Sequence, residues 1–227
     1  MQAIRTLAIA AALLAGAASA QAALVNRGGG MIYDTTQNLT WLADMNYAKT
    51  SGYDADGLMT WAAAGEWANN LVYGGFSDWR LPTLNSGDTS CSENFNVGGG
   101  FPRQYHGYNC TGGEMSRLFV ADLGNKAGES VLVPTGDTAE QIANLALFGN
   151  VQSYYWSGLE YALSPGGYAL YFDTRNGGQE RFDKRSALYA VAVRPGDVAA
   201  SVPEPQTLAL VLLALGATVV ARKRRPA

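Results

Sequence analysis

Histidine is almost missing from this chain: one, His106, in 227 residues. General-base chemistry therefore has few candidates, and no Ser-His-Asp order, HExxH run or recognisable pair of carboxylates makes up the deficit. The expectation is a protein that is not an enzyme; a hydrolase would have to rely on carboxylates such as Asp173 or Glu160. Charge is also scarce, at 15% of residues. Between residues 23 and 201, eleven Lys and Arg stand against eighteen Asp and Glu, a balance of −7. That excludes nucleic acid as a partner, and any anionic polysaccharide, held by bulk charge. There is no internal repeat. Long apolar runs are confined to the two ends, and only two cysteines are present, Cys91 and Cys110.

Each end carries an address. Residues 1–22 hold Arg5, an apolar run from Leu7 to Ala18 and small residues at Ala18-Ser19-Ala20 and Ala20-Gln21-Ala22. This is the layout of a secretory signal peptide. The C-terminus has Pro203-Glu204-Pro205 in a linker over 197–206, an apolar stretch at 207–221, and a basic tail at 222–227 with Arg222, Lys223, Arg224 and Arg225. Fifteen helical residues reach about 22 Å, a marginal transmembrane helix that the basic residues would hold on the cytoplasmic side. This end resembles the PEP-CTERM sorting signal of Gram-negative bacteria. The resemblance implies an exosortase as processing partner, transient anchoring in the inner membrane and delivery to the cell surface or extracellular matrix.

What lies between, about 180 residues, is enough for one domain with a real core. The chain's 27 glycines, nearly all within this stretch, predict many turns and few long helices. Met31-Ile32-Tyr33-Asp34 reads as a first strand, and Thr40-Trp41-Leu42 as its return. Asp44, Asp54 and Asp56 lie near a loop over 46–57, but their spacing does not fit a calcium loop. Thr60 is placed to cap a helix with Trp61, Ala64, Trp67, Ala68 and Leu71 inward. That helix leads to Gly74-Gly75, read as its stop, and to Asp78-Trp79-Arg80-Leu81-Pro82-Thr83. Trp79 and Leu81 are expected in a core, with Asp78 and Arg80 on one side of an extended segment, where an Asp-Arg pair can imitate a site.

In an exported chain Cys91 and Cys110 should pair and staple the polar, Gly-rich excursion over 84–113. A metal on His106, Cys91, Cys110 and Glu93 would require reduced thiols, so no metal is expected. Met115, Leu118 and Phe119 mark a second helix that Gly124 ends. From Tyr154 the pattern turns to β, with a turn at Asn176-Gly177-Gly178 and Leu188 to Arg194 as a closing central strand.

Three blocks carry a family resemblance over residues 28–196. They are Gly57 to Trp61 through Asp78-Trp79-Arg80-Leu81-Pro82, then Met115 to Phe119 with Leu123-Gly124-Asn125, and last Tyr155-Trp156-Ser157-Gly158 through Gly177-Gly178-Gln179 to Arg194-Pro195-Gly196. Together they resemble the Lcl C-terminal domain family, known from a bacterial collagen-like adhesin. The resemblance implies an α+β, C-type-lectin-like single domain with two helices and a twisted antiparallel sheet. The adhesin is credited with binding sulfated glycans, which the acidic balance here does not favour. The calcium motifs of animal C-type lectins, Glu-Pro-Asn and Trp-Asn-Asp, are absent, so calcium has no support as a cofactor and none is expected.

The reading that follows is an exported, non-catalytic surface or matrix protein that binds carbohydrate or a protein partner in adhesion or biofilm. Tyr105, His106, Tyr108, Tyr154, Tyr161 and Tyr168 are the side chains that loops could offer to an exopolysaccharide or other glycan. The alternatives are a structural matrix protein without a specific ligand, and an enzyme on the fold shared with formylglycine-generating enzymes.

Overall fold

Alternation along the strands, rather than helix amphipathicity, builds this domain. The computed structural model describes residues 24–198. The expected signal peptide over 1–22, Pro203-Glu204-Pro205, the apolar stretch 207–221 and the basic tail lie outside the described residues. Among the described residues, no helix is long and apolar enough to cross a membrane.

Strands β1 (Leu24–Gly28), β2 (Met31–Asp34), β3 (Leu39–Leu42) and β9 (Val193–Pro195) form one antiparallel sheet in the order β1-β2-β3-β9. The chain thus enters the sheet one strand earlier than Met31. Between β3 and β9 come α1 (Tyr47–Thr50), α2 (Trp61–Asn70), the small hairpin of β4 (Glu93–Phe95) and β5 (Gln104–His106), α3 (Glu114–Ser116) running into a π-helix (Arg117–Asp122), and α4 (Ala139–Leu145). A second, three-stranded antiparallel sheet holds β6 (Tyr154–Glu160), β7 (Tyr168–Asp173) and β8 (Gly178–Asp183). The class is α+β. The expected pair of helices is joined by α1 and α4, and the sheet is divided into three. The polar sequence of α4 hid it: its start rests on a capping box in which Thr138 and Gln141 satisfy each other's backbone amides.

Successive residues of β6 and β7 point to opposite faces, and the core divides accordingly. Tyr155, Leu170 and Phe172 join Trp41, Met115, Leu118 and Phe119 in one buried cluster. Trp156 and Ala169 join Leu42, Trp67, Trp79 and Leu81 in the other. The segment from Leu188 to Val193 threads between the two sheets. Tyr189 exchanges backbone bonds of 3.0 Å with Tyr154 and Trp156, and Val193 does so with Arg80 at 2.8 and 2.9 Å. Its role is central as expected, yet only Val193–Pro195 is regular strand.

Around Asp78 to Pro82 the pairing differs from the expectation. Asp78 and Arg80 do not bond to each other. The Arg194 guanidinium donates Nε to Asp78 Oδ1 at 2.8 Å and Nη2 to Oδ2 at 3.1 Å, while Arg80 grips Glu114 with two bonds of 2.7 Å. Each acid-base pair thus ties segments far apart in sequence. The Arg194 bonds hold the Asp78 carboxyl below its usual range. Burial works against the charge of Glu114, but Arg80 and the Thr83 amide outweigh it and keep this carboxyl low as well. Gly74 and Gly75 do not stop α2, which ends at Asn70. With φ of 62° and 85° they make the two-residue turn between Tyr73 and Phe76, which exchange backbone bonds of 3.0 Å. Positive φ at both positions is what that turn requires.

Candidate functional site

The β7-β8 turn sets the register, and the register builds the site. Tyr171 faces Glu180, Ala169 faces Phe182, and Tyr171 also faces Trp156 of β6. Residues directly opposite one another share a face. Tyr154, Tyr171 and Phe182 therefore stand side by side on one face, with ring centroids 6.0 and 5.5 Å apart. Together with Leu58, Ser153, Ala187, Leu188 and Tyr189 they line an open cleft of about 390 Å³. Phe182 is 43% exposed, a large apolar ring that the fold leaves uncovered.

Tyr171 also lines a smaller, polar recess of about 70 Å³ with Glu93, Tyr108, Asp173, Asn176 and Glu180. His106 Nδ1 lies 2.9 Å from Glu180 and 3.8 Å from Glu93, which joins the β4-β5 hairpin to β8. Asp173 accepts from Arg175 Nε and Nη2 at 3.2 Å each, and that guanidinium also covers the Tyr154 ring at 4.2 Å. Burial raises the Asp173 carboxyl above its usual range, with the Arg175 amide opposing it. Burial, aided by Asp173 and Glu180, pushes the Tyr171 hydroxyl up to about 12, so it stays protonated and available as a donor. The result is an aromatic cleft with an acidic end.

A second cleft, of about 380 Å³, lies beside α2 and is lined by Trp61, Glu66, Arg80 and Leu81. Its aromatic and its cation are both engaged: Lys184 sits 4.1 Å over the Trp61 ring, and Arg80 is held by Glu114. The first cleft offers a ligand more free ring surface.

Residues 201–225 match the PEP-CTERM protein-sorting motif. That motif contains Pro203, Glu204, Pro205, Arg222, Lys223, Arg224 and Arg225, and it implies export, membrane anchoring before sorting and processing by an exosortase. No curated protein matches the chain. The cleft lies entirely upstream of the matched motif.

Of the aromatics singled out from sequence, the structure brings Tyr154 and Tyr108 to this face and sets His106 against Glu180. Tyr105 and Tyr161 instead pack with Phe95, Gln104 and Leu170 around almost no free volume, and Tyr161 is 8% exposed. Tyr168 is exposed but stands opposite Asp183 on the other face of β7. Trp156 is fully buried, its Nε1 donating to the Met59 carbonyl at 2.9 Å.

Cys91 and Cys110 are joined as a disulfide. Among the described residues, one group, Asp88 with these two cysteines, has ligand atoms close enough for a metal. The sulfurs are bonded to each other, and the Asp88 carboxylate accepts from the amides of Ser90, Thr111 and Gly112 and from the Ser90 hydroxyl, so the group braces a loop. Tyr171, Glu180, Phe182 and Tyr189 escaped the sequence reading as ligand contacts. Parity alone could have found three of them: with the turn at Asn176-Gly177-Gly178, Tyr171, Glu180 and Phe182 fall on one face.

Proposed function

We propose that the chain is a non-catalytic carbohydrate-binding protein, exported and sorted by an exosortase to the cell surface or extracellular matrix, where it serves adhesion or biofilm cohesion. The row formed by Tyr154, Tyr171 and Phe182 carries this reading. Pyranose rings pack their C–H faces against aromatic side chains, and the carboxylates and amides at one end of such a row accept and donate hydroxyl hydrogen bonds. A site built on strands holds those rings at fixed spacing, which favours a ligand with a repeat. The resemblance to the Lcl C-terminal domain family, and through it to a C-type-lectin-like fold, supports the same function. Calcium has no part in this proposal.

The test is binding of the exported, processed protein to a glycan panel that includes the host's own exopolysaccharide, with calcium and with chelator. Saturable binding unchanged by the chelator is expected. Absence of saturable binding to any glycan would overturn the proposal in favour of a matrix protein without a specific ligand.

A further inference from the structure

Building on the carbohydrate-binding reading, we infer that the preferred ligand is a cationic amino sugar, a glycan with unacetylated, protonated amines, rather than a neutral or anionic one. The charges around the cleft support this choice. At its polar end Glu93, Asp173 and Glu180 meet beside Tyr171. Among the described residues, the Lys and Arg side chains paired with these carboxylates are Arg175, which is committed to Asp173 and to the Tyr154 ring, and Arg181, at 3.9 Å from Glu180. Arg181 belongs to the opposite face, where its guanidinium lies over Tyr161 at 4.9 Å. Glu93 and Glu180 keep side-chain exposures of 58% and 39%, so both can reach a ligand.

Aromatic rings beside carboxylates make a matched receptor for an ammonium group. The ring face attracts the cation, the carboxylates accept its hydrogen bonds, and the adjoining apolar cleft takes the sugar ring. A uronate or sulfated sugar meets the opposite field, with like charges facing it at close range. Burial is the main reason the Tyr171 hydroxyl stays protonated, and the charges of Asp173 and Glu180 add to it, as a negative local potential does.

The experiment compares the processed protein with three hexasaccharides: glucosamine, N-acetylglucosamine and a uronic acid. With two exposed carboxylates, Glu93 and Glu180, free to pair with the amines, glucosamine should bind about tenfold more tightly than its acetylated form at low salt. The difference should shrink as salt screens the charges. Glu180→Gln should weaken glucosamine binding two- to fivefold and the acetylated sugar by clearly less, so that the preference between the two narrows. Glu129→Gln, which removes an equal charge from an exposed position outside the cleft, should change neither. Equal loss in both variants would assign the preference to bulk charge and overturn the inference. Equal affinity for the two glucosamine forms, or tighter binding of the uronate, would overturn it while leaving carbohydrate binding intact. No binding of any of the three, together with an empty glycan panel, would sink both.

Discussion

Asp122 is a buried carboxyl, 7% exposed, whose Oδ2 has no hydrogen-bond partner. Burial raises it from 3.8 to about 6, and the nearby Asp34 charge pushes the same way. The sign follows from linkage. Between those two values the unfolded chain has released this proton while the folded chain keeps it, so stability falls as pH rises through the window and levels off above about 6. Asp122→Asn removes the group that must ionise. The variant should gain about 1–3 kcal/mol at pH 7.5 and almost nothing near pH 4, read from denaturant melts across the range. A gain independent of pH would show that packing, not ionisation, is responsible. Sequence could not locate this acid in the interior, because its burial depends on the π-helix and on Asn144 bonding to its carbonyl.

Elements differ in how much of them the sequence discloses. Helix α2 was legible because Thr60 caps it and Trp67, Ala64 and Ala68 define one buried face. Leu118 and Phe119 announced the second helix, whose π geometry has no comparable sequence mark. Helix α4 stayed hidden because an exposed, short amphipathic segment looks like loop. The partners of Asp78 and Arg80 stayed hidden for another reason: an ion pair between segments 34 or 116 positions apart is set by tertiary packing, not by local spacing. The excursion over 84–113 owes its shape to the Cys91–Cys110 bond and to the Asp88 bonds. Replacing both cysteines by Ala should cost about 3 kcal/mol by the chain-entropy argument, measured as a shift in the urea midpoint. Because Glu93 and His106 belong to this excursion and His106 touches Glu180 of β8, the same variant should weaken glycan binding more than neutral substitutions on α4 do. Unchanged stability would mean that the Asp88 bonds alone suffice.

For the whole molecule, address and activity reside in different stretches. The motif at 201–225 assigns export, anchoring and exosortase processing. Substituting Pro203, Glu204 and Pro205 by Ala should leave a full-length, membrane-held form, seen as a larger band in the membrane fraction; unchanged processing would contradict that assignment. The domain's two ends meet at Arg27 and Asp197, with Nε to Oδ1 at 2.8 Å and Nη2 to Oδ2 at 2.5 Å, so the described fold closes just before the sorting segment. The proposed glycan binding rests on the face of β6, β7 and β8. The most direct measurement sets two exposed aromatics against each other. Phe182→Ala removes a ring from the cleft, and Phe101→Ala removes one from the loop between β4 and β5. Measured by calorimetry with the tightest glycan of the panel, Phe182→Ala should lose at least tenfold in affinity at unchanged melting temperature, and Phe101→Ala should bind as the natural protein does. Equal binding by both variants would contradict the placement of the site.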